Sequence, residues 1–396
     1  MPTLGMSIHG RQYMVKLAFA VAIAASTTSS ASASDVDPTR EYAPGIPTLE
    51  KLYASSEYAP PSTGPKLAPN KNVIFLSCGQ LAPGCAGPAL AMEEITKQIG
   101  WHYKIIDGAF GVNDGYNSGM RQAIAAKPDA IVVHGIACPQ ILQPLKEARE
   151  AGIPVINIQA ADCDDVKNPG GPSEPLFTNM QFNKDFKSAA EFFYEAGFTQ
   201  ASYLIDATQG HAIIIRDRYT GSLQGDYQAA GQDAALAKCS DCKVVATVDW
   251  GPADGGPSGA LNQKFTTLLT QFPKANAALL SYDSVATSYG ISKMITDAGR
   301  EATMVVVAGE GYAPAQEVIR LRAGLTADVG QSPEWMAWGA IDTMNRYFNN
   351  SPLVPEGIGY RVIDASHNLS PEGEDYTPPK SLIDLQGIYL RSWGVN

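Results

Sequence analysis

Residues 127–158, KPDAIVVHGIACPQILQPLKEAREAGIPVINI, decide the architecture. Ala130, Ile131, Val132 and Val133 run apolar without alternation, the mark of a strand covered on both faces. Residues 139–151 then carry apolar side chains at helical spacing and end at Gly152, and residues 154–158 return to a strand pattern. A strand, a helix and a second strand within about 30 residues form a crossover unit, because two consecutive strands can run parallel only if a long connection carries the chain back.

Working outward, the same alternation recurs on both sides. Upstream, strands are expected at 73–76 and 103–106, with helices at 88–99 and 116–126. Downstream, after a glycine- and proline-rich break at 168–175, a second series is expected, with strands at 201–205, 244–248, 277–280 and 304–307. Its helices are expected at 182–196, 219–238, 261–271 and 284–298. Two such series predict an α/β protein of two doubly wound parallel-sheet lobes joined by a multi-strand hinge. The hinge is expected at 179–183, 332–335 and 360–364. The N-terminal lobe then takes 71–180 plus about 333–362, and the C-terminal lobe takes 181–332 plus about 363–396.

The beginning of the chain reads differently. Arg11 and Lys16 precede an apolar run from 17 to 25, followed by small residues ending at Ala33. This is the layout of a secretory signal peptide over 1–33, and the run is far shorter than the ~20 residues of a membrane-spanning helix. No cysteine lies near that junction to take a lipid anchor. Residues 34–70 are rich in proline and predict a leader packed on the surface, with one short helix at 48–56. The chain has 40 acidic against 29 basic residues, and losing Arg11 and Lys16 makes it more negative still. Nucleic acid and anionic lipid are therefore poor partners.

Six cysteines in an exported chain suggest disulfides. Spacing suggests Cys78–Cys85, Cys138–Cys163 and Cys239–Cys242. The rival reading for the last pair, half of a zinc site or a redox pair, lacks a second CxxC or a nearby histidine.

In open parallel sheets, ligands bind beyond the carboxyl ends of the strands. The residues there are polar or aromatic in both halves: Gln80, Asp107, His134, Gln159, Asp206, Trp250, Tyr282 and Glu310. Enzyme signatures are missing. There is no Gly-x-Ser-x-Gly elbow, no glycine-rich dinucleotide fingerprint after the first strand and no His-Glu-x-x-His, so neither turnover nor a cofactor is expected.

The segments 127–133 and 145–156 resemble the most recognisable stretch of the type I periplasmic solute-binding proteins, the ribose- and galactose-binding class that serves ABC transporters. Arg216-Asp-Arg-Tyr-Thr-Gly221 is similar to that family's Arg-x-Arg-x-x-Gly turn. Tyr282-Asp283, Gly309-Glu-Gly311 and Gln331-Ser-Pro-Glu-Trp335 follow in matching order over about 72–350. The resemblance implies a ligand cleft formed by both lobes. Arg216 would grip the ligand, Trp250 would stack on it, and Tyr282, Glu310 and Gln331 would supply polar contacts. His134 would face the cleft from the N-terminal lobe. Gln159-Ala160 stands where sugar binders often carry Asp-Arg, and the Gln80 loop lacks their aromatic pair. These departures point to another polar solute, a modified sugar or a substituted aromatic acid.

Each residue also has a plainer reading. Arg216 could pair with Asp217 or Glu310, Trp250 could be core, His134 could be a satisfied interior histidine, and Asp283 is expected to cap the helix starting at Ser284. The function implied is extracytoplasmic capture by a monomer that delivers its ligand to a membrane permease. The alternative is a ligand sensor for a chemotaxis or signalling receptor. A repressor is not expected, because an export signal and no DNA-reading helix precedes the first lobe.

Overall fold

The computed structural model describes residues 36–256 and 258–395, so the signal segment lies outside the described residues. A short helix α1 (Leu49–Ala54) precedes the first sheet, whose strands are β1 (Asn72–Ser77), β2 (His102–Asp107), β3 (Ala130–His134), β4 (Val155–Ile158) and β5 (Thr178–Asn179). They lie in the order β2-β1-β3-β4-β5, all parallel. Helices α2 (Pro83–Ile99), α3 (Gly115–Ala125) and α4 (Cys138–Glu150) make the crossovers. Strand β3 is buried throughout, as its unbroken apolar run requires. Each Val or Ile buried there contributes about 1.5–3 kcal/mol.

The second sheet comprises β6 (Ile213–Tyr219), β7 (Lys243–Trp250), β8 (Ala277–Leu279), β9 (Val305–Glu310), β10 (Ala327–Gly330) and β11 (Arg361–Asp364). Its order is β11-β10-β9-β8-β6-β7, parallel except for the antiparallel β10–β11 pair at one edge. Its helices are α5 (Ala189–Ala207), α6 (Leu223–Leu236), α7 (Ala260–Gln271), α8 (Asp283–Ala286), α9 (Ile291–Asp297) and α10 (Ala313–Arg320). Helix α11 (Pro333–Phe348) returns to pack on α2 and β4.

Four expectations need correction. Residues 201–205 are not a strand but the last turns of α5. Ser188 and Glu191 form a capping box that starts this helix, and its buried face continues through Ile205. The first strand of the second sheet is instead β6, so α6 starts at Leu223 rather than at Tyr219. The helix expected over 284–298 is broken into α8 and α9 at Gly290, whose φ of 87° no continuous helix allows. Helix α12 (Leu385–Ser392), grouped above with the C-terminal lobe, packs on α11 instead, with Trp338, Tyr389 and Trp393 in mutual ring contact.

Both ends of the described chain span the two sheets' territories. In the leader, the Tyr53 hydroxyl donates to Asp364 beside β11 at 2.5 Å, and Ser56 N–H donates to Tyr360 O at 2.9 Å. Farther along, Ala68 N–H donates to the Asn345 side chain on α11 at 2.9 Å. The tail mirrors it: Tyr376 N–H donates to Gly311 O at 2.7 Å, the Ser332 and Thr377 hydroxyls meet at 3.1 Å, and the Trp393 indole donates to Asp342 at 2.6 Å.

Candidate functional site

The carboxyl ends of β1, β3 and β4 face those of β8, β9 and β10. On the N-terminal side, a Cys78–Cys85 disulfide with Cα atoms 5.4 Å apart closes the loop after β1. Gln80 sits on this loop. Its N–H donates to Asp107 at 3.1 Å, while its side-chain nitrogen is buried without a partner. A second bridge, Cys138–Cys163, ties the start of α4 to the loop after β4.

His134, the last residue of β3, is 2 % exposed. Burial pushes its pKa down to about 4, so the imidazole is neutral at pH 7. Its Nε2 lies 2.8 Å from Gln159 Oε1, an acceptor, which places the ring proton on Nε2. Gln159 directly follows β4 in the left-handed region, φ 58°, which turns its side chain back over the strand ends. Its amide nitrogen donates to Gln331 Oε1 at 2.7 Å, and its backbone carbonyl accepts from Gln224 Nε2 at 2.9 Å. His134, Gln159 and Gln331 therefore form one hydrogen-bonded chain from the first sheet to the second.

The C-terminal side is acidic. Glu310 ends β9 and accepts from Asp283 N–H at 3.2 Å. Asp283 accepts from Tyr312 N–H at 2.8 Å, and Asp328 accepts from the N–H groups of Glu310 and Gly311, each at 3.1 Å. Burial, followed by the charge of Asp328, pushes Glu310 up to about 8. Burial pushes Asp328 up to about 6 and, joined by its acidic neighbours, raises Asp283 well above the usual carboxylate range. The expected capping role of Asp283 is corrected: its side chain makes no cap bond to α8, because the loop after β9 brings the Tyr312 N–H to it first.

Two glycines on α2 let the acidic wall come close. A Cβ at Gly84 would collide with the Glu310 carboxylate, and one at Gly87 with the Tyr312 ring. The Tyr312 hydroxyl donates to Gly84 O at 3.3 Å. Aromatic rings extend the wall: Tyr219 lies 5.7 Å from Tyr282 and 4.7 Å from Trp250.

Trp250, the last residue of β7, packs in the second sheet's core. Its indole donates to buried Asp217 at 2.6 Å. Arg216 does not join the others. It lies inside β6 and not in the turn that the resemblance implied, and its guanidinium pairs with Asp233 on α6 at 2.6 Å and with Thr247 on β7 at 3.2 Å. The structure thus brings His134, Gln159, Gln331, Glu310 and Tyr282 together, leaves Gln80 on the adjoining disulfide loop, and sets Arg216 under a helix.

Sequence reading missed the glutamines behind the wall. Gln224, Gln228 and Gln232 recur every four residues on α6, which puts them on one buried face. Gln228 donates to Ser281 O at 2.8 Å and Gln232 to Gln200 on α5 at 2.9 Å. That spacing was the available signal, since a helix rarely buries three amides without a polar task. The space remaining between Gln228, Ser281, Tyr282, Glu310 and Gln331 is about 10 Å³, room for one water. A larger cavity of about 410 Å³, lined by Glu334, Arg361, Tyr376 and Lys380, is built from the tail and hinge and not from strand-end loops.

Among known proteins, the family model described as a periplasmic binding protein domain matches residues 88–352. No curated protein matches the sequence. The fold is similar to that of the arabinose ABC transporter's periplasmic binding protein from Shewanella sp. ANA-3, with 20 % identity and a TM-score of 0.61 over 74 % of this chain and 92 % of that one. A periplasmic solute-binding protein from Actinobacillus succinogenes 130z with bound D-allose gives 20 % and 0.62 over 76 % and 98 %. The 5-methylthioribose transporter solute-binding protein from Thermotoga lettingae gives 17 % and 0.59 over 78 % and 89 %.

Proposed function

Because this chain belongs to the periplasmic binding protein family, we propose that it is an exported, monomeric receptor that closes its two lobes on a small sugar-like solute and delivers it to an ABC importer. The observation that carries this reading is the chain His134–Gln159–Gln331, which crosses between the sheets at the strand ends. A ligand inserted there would replace side-chain contacts between the lobes with its own contacts to both. Ligand binding then favours closure by population shift, and no bond is made or broken.

A sugar-like ligand fits the amide-rich lining better than the aromatic acid also considered, because the arginine expected to hold an acid is paired with Asp233. Neighbours of similar fold are described with arabinofuranose, D-allose and 5-methylthioribose. The remaining space is smaller than any sugar ring, so the lobes part to admit one. Export through cleavage near Ala33 belongs to the same proposal.

A thermal-shift screen across pentoses, hexoses, amino sugars and sugar alcohols tests it. A true ligand at about 100 times its dissociation constant adds about 2.7 kcal/mol of stability. Solution scattering with that ligand should show a population moving toward the compact form. An unchanged profile at saturation would refute closure as the mechanism.

A further inference from the structure

The acidic wall gathers carboxyl groups that no basic side chain of the protein pairs: burial holds Glu310 and Asp283 protonated at neutral pH, and a bound cation would let Glu310 ionise. Four arginines of this half are paired elsewhere: Arg218 with Asp249, Arg320 with Glu317, Arg361 with Glu57 and Arg216 with Asp233. Among the described residues, no lysine or arginine forms an ion pair with Glu310, Asp283 or Asp328. A second, independent observation concerns what surrounds Glu310. Tyr282, Tyr289, Tyr312 and Tyr360 all lie within electrostatic reach of its carboxylate, and Tyr219 stands edge-on to Tyr282. Tyrosines gathered near a carboxyl group suit a nitrogen cation, which π-systems attract and the acid, once ionised, neutralises.

A third observation concerns acceptors. Gln224, 5 % exposed, has an unpartnered carbonyl oxygen beside Gln159, whereas Asp283 shares a side-chain hydrogen bond with Asp328. Buried acceptors call for donors, and an ammonium group supplies three and accepts none. A neutral sugar offers hydroxyls to the amides but leaves Glu310 protonated, whereas an ammonium group would compensate its ionised form in the dry site.

Resting on the capture reading above, we infer that the solute is an aminated sugar or amino polyol, its ammonium group held by Glu310 within the tyrosine ring and its hydroxyls met by Gln159, Gln228 and Gln331. Asp283 and Asp328 act behind Glu310, orienting the loop that presents it.

Calorimetric titration of the mature protein at pH 6.5 tests this with matched probes: D-glucosamine, D-glucose and N-acetyl-D-glucosamine, and the same three forms of D-galactose. In at least one series the amine should bind ten or more times tighter than both neutral forms. Glu310→Gln should collapse that ratio toward one while unfolding in a single thermal transition, and Asp328→Asn, a second variant in case the first fails to fold, should reduce it. Neutral sugars binding as tightly as their amines would overturn the inference and leave the capture of sugars standing. An amine preference untouched by both substitutions would overturn the role given to Glu310. If none of the six bound, this inference would fall, and failure of the wider screen as well would take the sugar reading with it.

Discussion

The N-terminal wall of the cleft is neutral and stapled, whereas the C-terminal wall is acidic and held by packing and hydrogen bonds. Two of the three disulfides, Cys78–Cys85 and Cys138–Cys163, lie at strand-end loops of the first sheet. The third, Cys239–Cys242, sits in the turn between α6 and β7, at the end of the second sheet away from the strand-end loops. His134 and Gln159 on the first wall are uncharged at pH 7, while Glu310, Asp283 and Asp328 crowd the second. The difference teaches a division of labour. One side offers a fixed neutral template, and the other presents ionisable acids on loops kept in place by one another.

The sharpest way to break this contrast is pH. The folded His134 pKa, about 4, lies below its ordinary value of 6.5, so its contribution to stability is present above pH 6.5 and is lost as pH falls toward 4. That loss is on the order of 3 kcal/mol. Glu310, raised to about 8, has the opposite sign: its protonated folded form is favoured at low pH, and stability is lost as pH rises from 4.5 through 8. Melting curves should show His134→Gln flattening the acid limb and Glu310→Gln flattening the alkaline limb. Both substitutions acting on the same limb would refute the division.

Removing a staple comes next. Replacing Cys138 and Cys163 together by alanine opens a link spanning 25 residues and should cost about 3 kcal/mol in urea unfolding. The same change at Cys239 and Cys242, a separation of 3, should cost about 2 kcal/mol or less. Equal costs would mean that the first wall gains no special rigidity from its bridges.

Trp250→Phe keeps a ring in the core but removes the indole donor from buried Asp217, for an expected loss of about 2 kcal/mol. Circular dichroism with denaturant would read it. Smallest is Gln331→Ala, which removes the bond joining the walls. At about 1 kcal/mol it should shift the open–closed ratio roughly fivefold, visible as a larger radius of gyration without ligand.

How much of this was legible in the sequence depended on whether local pattern and tertiary packing agreed. The unit 127–158 was read correctly because a strand buried on both faces and a helix ended by Gly152 leave distinct signatures. Residues 201–205 misled because Ala-Ser-Tyr-Leu-Ile is apolar on every side, a pattern that a buried helix shares with a strand. The capping box at Ser188 and Glu191 would have argued for the helix. Arg216 entered the expected site through the resemblance to the family's Arg-x-Arg-x-x-Gly turn, whereas it stands mid-strand in β6. Glu310 and Tyr282 drew notice because they lie at or just beyond strand ends, a position that backbone topology alone makes special, whereas Gln331 was singled out only by the family resemblance. Asp328 and the α6 glutamines were missed because their importance lies in partners distant in sequence.

The leader and tail, each bonded to both halves of the molecule, make the joint between them a sprung one. Parting the halves must stretch or release anchors such as Tyr53–Asp364 and Ser332–Thr377. Trapped cargo would accordingly leave slowly, and a protease that nicked either brace would shorten its dwell time without touching a single residue of the binding surface.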